Sequence, residues 1–168
     1  MLAGKLLAQT AMETGMQVTY MPSYGAEVRG GTANCMVIIA DSAIASPLIN
    51  RCCSAIIMNT ASLKKYAGRV ADGGLLVINS SLIRQFPQAH DRIRVVAVPA
   101  DEAAVELGSQ KAANMVALGA YLQAKGLFTA AAAAACLERV LAARYHHTIP
   151  LNSRALERGA RYVEENGL

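Results

Sequence analysis

Four short, unbroken apolar runs constrain this chain more than any other feature: Val37-Ile38-Ile39, Ala55-Ile56-Ile57-Met58, Leu75-Leu76-Val77-Ile78 and Val95-Val96-Ala97-Val98. Each is too short for an ordinary helix. None alternates apolar with polar residues, as a strand with one wet face does. Runs of this kind are strands covered on both faces, the usual state of a strand inside a parallel sheet. Helical patterns lie between and after them, and strands that alternate with helices imply an α/β domain.

The remaining segments fill in that frame. Residues 1–14 read as a helix with Leu2, Leu6 and Leu7 as its apolar stripe, and Ala3, Gly4, Ala8 and Ala11 as a small flank for close packing; Gly15 ends it. Residues 18–21 read as a short strand, 22–31 as a loop, 32–40 as a strand and 41–47 as a turn. Residues 55–58 are a buried strand, followed by a short helix at 62–66. Asp72-Gly73-Gly74 reads as a turn into the strand 75–78, and 93–98 is the next β-rich run. Pro99 opens a helix to about residue 107, and Gly108 closes it. Residues 114–125 are helical with Gly126 as the cap. Residues 129–144 read as one alanine-rich helix with Thr129 as N-cap, since alanine has the highest helix propensity. Residues 153–165 form an amphipathic helix with Ala155, Leu156, Ala160 and Val163 inward. The expected architecture is one domain over residues 1–168, a three-layer α/β/α, Rossmann-like fold with a mostly parallel sheet. The chain opens inside a helix that has no residue to cap it. A first strand and a turn are therefore expected upstream of Met1.

Composition excludes several function classes. With 54% hydrophobic and 17% charged residues the 168-residue chain can bury a proper core, which argues against disorder. The most apolar window, residues 36–49, is broken by Asp41, Ser42 and Pro47 and is too short for a bilayer. No signal peptide is evident, so the cytoplasm is the expected compartment. The net charge of +4 is scattered, with loose clusters at Arg84, Arg92 and Arg94 and at Arg154, Arg158 and Arg161. These read as solvated faces, or else as contacts to an anionic ligand or acidic partner. Nucleic acid is not expected, because no aromatic residues interleave the charges. Cys35, Cys52, Cys53 and Cys136 form no CxxC pair and read as buried or inert reduced thiols, so no metal site or electron-carrying cluster is expected.

One loop exceeds structural need. PSYGAEVRGG, residues 22–31, holds three glycines, the ring and hydroxyl of Tyr24, and the opposite charges of Glu27 and Arg29. Arg29 before two glycines can hold a phosphate or carboxylate in a fork, with backbone N–H groups as further donors. The alternative is a connecting loop with an internal Glu–Arg pair, and composition leaves both open.

The same loop carries a resemblance. PSYGAEVRGG followed by TANCMVIIADSAIASP resembles the gamma chain of the pyruvate, 2-oxoglutarate and related 2-oxoacid:ferredoxin oxidoreductases. So do Gly73-Gly74-Leu75-Leu76-Val77-Ile78-Asn79, the helix opening Asn114-Met115-Val116-Ala117-Leu118-Gly119-Ala120, and the first helix Ala3-Gly4-Lys5-Leu6-Leu7-Ala8. The likeness runs to about Tyr121. In that family the first helix follows a glycine-rich GxGGQG turn, which this sequence lacks. The resemblance implies a subunit without its own redox centre and without a catalytic residue. Alpha, beta and ferredoxin-like delta subunits carry thiamine diphosphate and iron–sulfur clusters, and ferredoxin is reached through them. It implies oxidative decarboxylation of a 2-oxoacid, 2-oxoglutarate in the first place, to an acyl-CoA. It also places Tyr24, Gly25, Glu27, Arg29, Gly30, Gly31 and Asn114 at the cofactor side, with Arg29 as the CoA or anion contact and Glu27 as its orienting partner.

The other polar residues read as structural. His146 and His147 are adjacent and diverge, Ser80-Ser81 follow a strand as turn residues, and Asp101 and Glu102 open a helix where carboxylates favour the dipole. Two competing functions remain: an independent nucleotide-binding α/β protein, and a purely structural interaction module.

Overall fold

The computed structural model describes residues 1–24, 33–85 and 92–168. The first helix, α1 (Leu2–Glu13), buries Leu6, Leu7, Thr10 and Ala11. The Thr10 hydroxyl donates to the Leu6 carbonyl at 2.8 Å, so this buried polar group is satisfied within the helix. Strands β1 (Gln17–Tyr24) and β2 (Ala33–Ala40) pair antiparallel from Gln17↔Ala40 to Tyr24↔Ala33. Gly4 lets α1 lie directly on this hairpin, for a Cβ there would run into the Cys35 sulfur. The sequence placed the end of β1 at Met21 and a loop from Pro22. The strand instead continues through Tyr24, and Pro22 is tolerated because β1 has a partner on one side only.

Strands β3 (Cys52–Ile57), β4 (Val70–Asn79) and β5 (Arg94–Val98) form a parallel sheet in the order β3-β4-β5. The α/β reading with a parallel sheet therefore stands, with the hairpin as a separate antiparallel unit. Asp72-Gly73-Gly74 interrupts β4 rather than preceding it. The register breaks between the pairs Cys52↔Val70 and Ser54↔Leu75, and Gly73 takes a φ of +76° in the bulge.

The apolar runs serve two faces. Leu75 and Val77 join Val96 and Val98 in the main core, while Leu76 and Ile78 point the other way, onto Ile57, Leu63 and Ile83. Leu63 comes from α2 (Thr60–Tyr66), whose cap Asn59 accepts from the Ser62 N–H at 2.8 Å. The main core is closed by α3 (Ala100–Glu106), α4 (Ala113–Lys125) and α7 (Ile149–Glu165). Helices thus cover both faces of the sheet. Helices α4 and α7 cross backbone to backbone: a Cβ on Gly119 would overlap the Leu156 backbone, and one on Gly159 the Val116 carbonyl.

Two helix expectations need correction. The alanine-rich stretch is not one helix over residues 129–144. Thr129 caps α5 (Ala130–Ala135) as expected, accepting from the Ala132 N–H at 3.1 Å, but α6 (Leu137–Val140) is a separate turn and Leu141 is extended. Burial of Ala133, Leu137 and Val140 in the main core decides this geometry over alanine propensity. Helix α7 begins at Ile149, four residues before Ser153, because Pro150 sits in its first turn and has the right φ for it. Its buried face includes Gly159, whereas Ala160 is half-buried. Among the described residues no helix is long and apolar enough to cross a membrane.

Candidate functional site

A cavity of about 540 Å³ opens where four parts of the chain converge. The first turns of α1 bring Leu2 and Lys5. The hairpin brings Tyr20 and Tyr24. The segment between α3 and α4 brings Ser109 and Lys111, and residues 140–152 supply the opposite wall. The first two converge because Gly4 draws α1 onto the hairpin, next to Tyr20 and Cys35.

Its polar groups are held by neighbouring backbone. The Lys5 ammonium donates to the Val140 carbonyl at 3.3 Å, which anchors it across the cavity wall. The Asn152 amide nitrogen donates to both the Thr148 carbonyl and the Thr148 hydroxyl at 3.0 Å, and that hydroxyl donates to the Tyr145 carbonyl at 2.7 Å. Burial, followed by the neighbouring Cys35 and Tyr24, raises the pKa of Tyr20, so its phenol stays protonated and able to donate. Tyr24, 72% exposed, ends β1 at the rim, and the chain rejoins the described structure at Ala33 directly opposite. The segment spanned by that pair contains Gly25, Glu27, Arg29, Gly30 and Gly31, which lie outside the described residues. Of the sequence-predicted site, the structure therefore places Tyr24 at the cavity. Asn114, the second residue of α4, is half-buried and does not line it.

Lys5, Tyr20, Lys111 and Asn152 were not singled out from the sequence. The signal for Asn152 is legible in retrospect, since it shares the buried stripe of α7 with Ala155, Leu156 and Gly159. A polar side chain on such a stripe has a partner or a use. The lysines carry no comparable signal.

A second polar cluster stands at the carboxyl ends of β4 and β5. Asn79, 1% exposed, donates to Asp101 Oδ2 at 2.8 Å and to the Met58 carbonyl at 3.4 Å. Its Oδ1 accepts from the N–H groups of Ala100 at 3.2 Å and Ser81 at 3.3 Å. Ser81 in turn bonds Glu102 and accepts from the Asp101 N–H at 3.1 Å. Strand-end and helix-start residues that the sequence treated separately are thus one latch between β4 and α3. Every hydrogen-bonding position of the Asn79 amide is used, which makes the latch structural.

The four thiols are all free: Cys136 is buried, Cys35 and Cys52 are half-buried, and Cys53 is exposed. Burial, then the adjacent Cys53, raises the pKa of Cys52. Among the described residues no group of three or more His, Cys, Asp and Glu side chains converges as a metal site. His146 instead bonds the Leu141 carbonyl through Nε2 at 3.0 Å.

Comparison with known proteins gives this geometry a setting. The ketoisovalerate oxidoreductase subunit VorA of Methanothermobacter thermautotrophicus is 35% identical over 165 residues, 97% of this chain. The chain spans about a third (34%) of that relative's length. The keto/oxoacid ferredoxin oxidoreductase gamma subunit of Geobacter sulfurreducens superposes with a TM-score of 0.80 at 26% identity, over 98% of this chain and 90% of that one. The fold also matches a 2-oxoglutarate:ferredoxin oxidoreductase from Magnetococcus marinus, solved with 2-oxoglutarate, coenzyme A and succinyl-CoA, with a TM-score of 0.80 at 18% identity over 98% of this chain and 28% of that one. The pyruvate ferredoxin/flavodoxin oxidoreductase family profile matches residues 1–162, nearly the whole chain, and this protein therefore belongs to that family, in its gamma-type domain.

Proposed function

We propose that this chain serves as the gamma subunit of a 2-oxoacid:ferredoxin oxidoreductase that converts a 2-oxoacid and CoA to acyl-CoA and carbon dioxide, passing the released electron pair to ferredoxin. The observation that carries this reading is the family match over residues 1–162, joined to a cavity whose rim is Tyr24, the first residue of the Tyr-Gly…Arg-Gly-Gly segment. Alpha and beta subunits, with a ferredoxin-like delta subunit, hold thiamine diphosphate and the iron–sulfur clusters in the cytoplasm. Thiamine diphosphate supplies the decarboxylation chemistry there. This chain binds and orients the thiol acceptor.

Within it, Arg29 pairs with a CoA phosphate, Glu27 orients that guanidinium, and Gly25, Gly30 and Gly31 let the backbone approach the anion. Tyr24 flanks the ligand, and Asn114 at the start of α4 is a further contact. No residue of the chain acts as nucleophile or general base.

The test is purification through this chain. Native mass spectrometry should show companion subunits, with thiamine diphosphate and iron–sulfur absorbance in the same particle. In that assembly Arg29→Ala should raise KM for CoA about tenfold with kcat little changed, as for a lost charge-assisted contact. Assays with 2-oxoglutarate, pyruvate and 3-methyl-2-oxobutanoate should rank 2-oxoglutarate first. A lone monomer would sink the proposal. Turnover by that monomer would favour an independent enzyme instead.

A further inference from the structure

We infer that the amino-terminal edge of the parallel sheet is a docking surface for an acidic protein. Strands β3, β4 and β5 run parallel, so their starts share one edge of the sheet. Each start carries arginine: Arg51 directly before β3, Arg69 directly before β4, and Arg92 and Arg94 where β5 begins. These residues meet across the strands. Arg51 and Arg92 both reach Asp72 in the β4 bulge, at 3.5 and 3.3 Å, and the Cys52 thiol donates to the Arg69 carbonyl at 3.6 Å. The helices on the two faces extend the charge. Lys64 and Lys65 stand in the last turn of α2, which leads towards β4. Lys125 ends α4, and Arg94 donates to the carbonyl of the preceding Ala124 at 2.8 Å. The basic strip therefore crosses all three layers.

Fold stability accounts for only part of this strip. Arg94 and Lys125 complement the carboxyl end of the α4 dipole. Arg51 and Arg92, at 61% and 73% side-chain exposure, share one carboxylate, and exposed pairs of this kind contribute little to folding. Lys64, Arg69 and Lys125 are exposed and have no ion pair among the described residues. Together the cations of the strip exceed Asp72 by more than the net charge of +4 that the whole chain carries, so the rest of the chain is net negative. A long polyanion or a charged membrane plane would meet that remainder, whereas a compact acidic partner need not. The local chemistry points the same way. Tyr66 is not free to stack on a base: its ring already holds Lys65 at 5.3 Å and Arg69 at 5.4 Å, and its hydroxyl accepts from Asn34 at 2.7 Å. That ring also orders the Arg69 guanidinium in advance, and its planar fork suits a carboxylate. Leu48, 64% exposed and shortly before Arg51 in the chain, adds an apolar contact of the kind that protein interfaces combine with arginine. The inference goes beyond the proposed function and does not depend on it.

The test is fluorescence anisotropy of a labelled oligoglutamate peptide titrated with the full chain at low ionic strength. We expect saturable binding that weakens as salt is added. Arg51→Glu combined with Arg69→Glu should weaken it about tenfold. Arg154→Glu combined with Arg161→Glu, the same change of charge at exposed positions of α7, should leave it within about twofold. Asp72→Asn removes the carboxylate that Arg51 and Arg92 share and should tighten binding about threefold, a gain that misfolding cannot produce. Absence of saturable binding overturns the inference. Equal weakening by the two double variants also overturns it, since net charge alone would then be at work, as does an Asp72→Asn chain that binds no tighter. A short DNA duplex and phosphatidylserine vesicles are titrated alongside, and if either binds more tightly than the peptide, the edge serves that class and the inference falls.

Discussion

Strands β2 and β4 carry similar apolar runs and end up in different surroundings. In β4 every residue from Leu75 to Asn79 is buried, with a strand on each side and helices on both faces. In β2 the residues from Asn34 to Ala40 are half-buried, with one strand partner and α1 on one face. The central strand of the parallel sheet is thus saturated by this chain's own elements. The hairpin is more apolar than its exposure requires, and it is also the unit that brings Tyr20 and Tyr24 to the cavity. Under the proposed function, that is where another polypeptide would complete the burial.

The largest expected difference is in truncation of one apolar side chain from each strand. Leu76→Ala, at 1% exposure in β4, should cost about 4 kcal/mol, because it removes transfer energy and leaves a cavity. Ile38→Ala in β2 should cost about 1 kcal/mol in the isolated chain. Denaturant unfolding of both variants measures the contrast, and equal losses would break it. If the hairpin meets a partner, Ile38→Ala should weaken assembly more than it weakens folding.

A smaller contrast lies in two close approaches. Gly159→Ala sets a Cβ against the α4 backbone, which cannot move without separating the helices, and should cost about 3 kcal/mol. Gly4→Ala meets chiefly the sulfur of Cys35, the end of a side chain that can rotate, and should cost about 1 kcal/mol. Thermal melts should therefore separate the two by several degrees. Between these two comes Asn79→Ala, expected to cost about 2 kcal/mol, since it leaves the Ala100 N–H and Asp101 without their partner inside the latch. Its signature is local: the amide exchange of Ala100 should accelerate more than that of β4 itself.

The same division governs what the sequence revealed. Unbroken apolar runs and a terminal glycine marked the apolar parts of β3, β4 and β5 and nearly the whole of α4, because those stretches pack into the two cores. The exceptions were cases where tertiary packing overrode a local signal. Propensity alone makes residues 129–144 one helix, yet the core needs Leu137 and Val140 turned inward. Asp72-Gly73-Gly74 was legible as a turn, but whether such a signal ends a strand or bulges it depends on the neighbouring strand. At the site, Tyr24 was found through composition and resemblance. Lys5, Lys111 and Asn152 were not, since they are distant in sequence and meet only through the packing of α1, the hairpin and α7. Asn152 alone left a trace, as a polar residue on an apolar stripe.

The smallest effect follows from Tyr121, a buried tyrosine on α4 that meets β3 through Ser54. Burial, only partly offset by the 3.0 Å hydrogen bond with Ser54, raises its pKa above the ordinary tyrosine value of 10.0. The unfolded chain therefore loses this proton at lower pH than the folded one. Tyr121 contributes its stability fully below about pH 10, and the contribution is lost as pH rises through the higher folded value. Tyr20, raised for the same first reason, acts with the same sign from the hairpin side. Tyr121→Phe should thus cost about 1 kcal/mol at neutral pH through the lost Ser54 contact, and should flatten the alkaline decline of stability between pH 9 and 11. Tyr20→Phe should flatten it less, because Tyr20 is far less buried than Tyr121, at 6% exposure, and desolvation is the leading cause in both. Urea unfolding across that pH range decides the order. A larger change from Tyr20 than from Tyr121 would mean that the hairpin side is the drier of the two, and the contrast between the regions would have to be reversed.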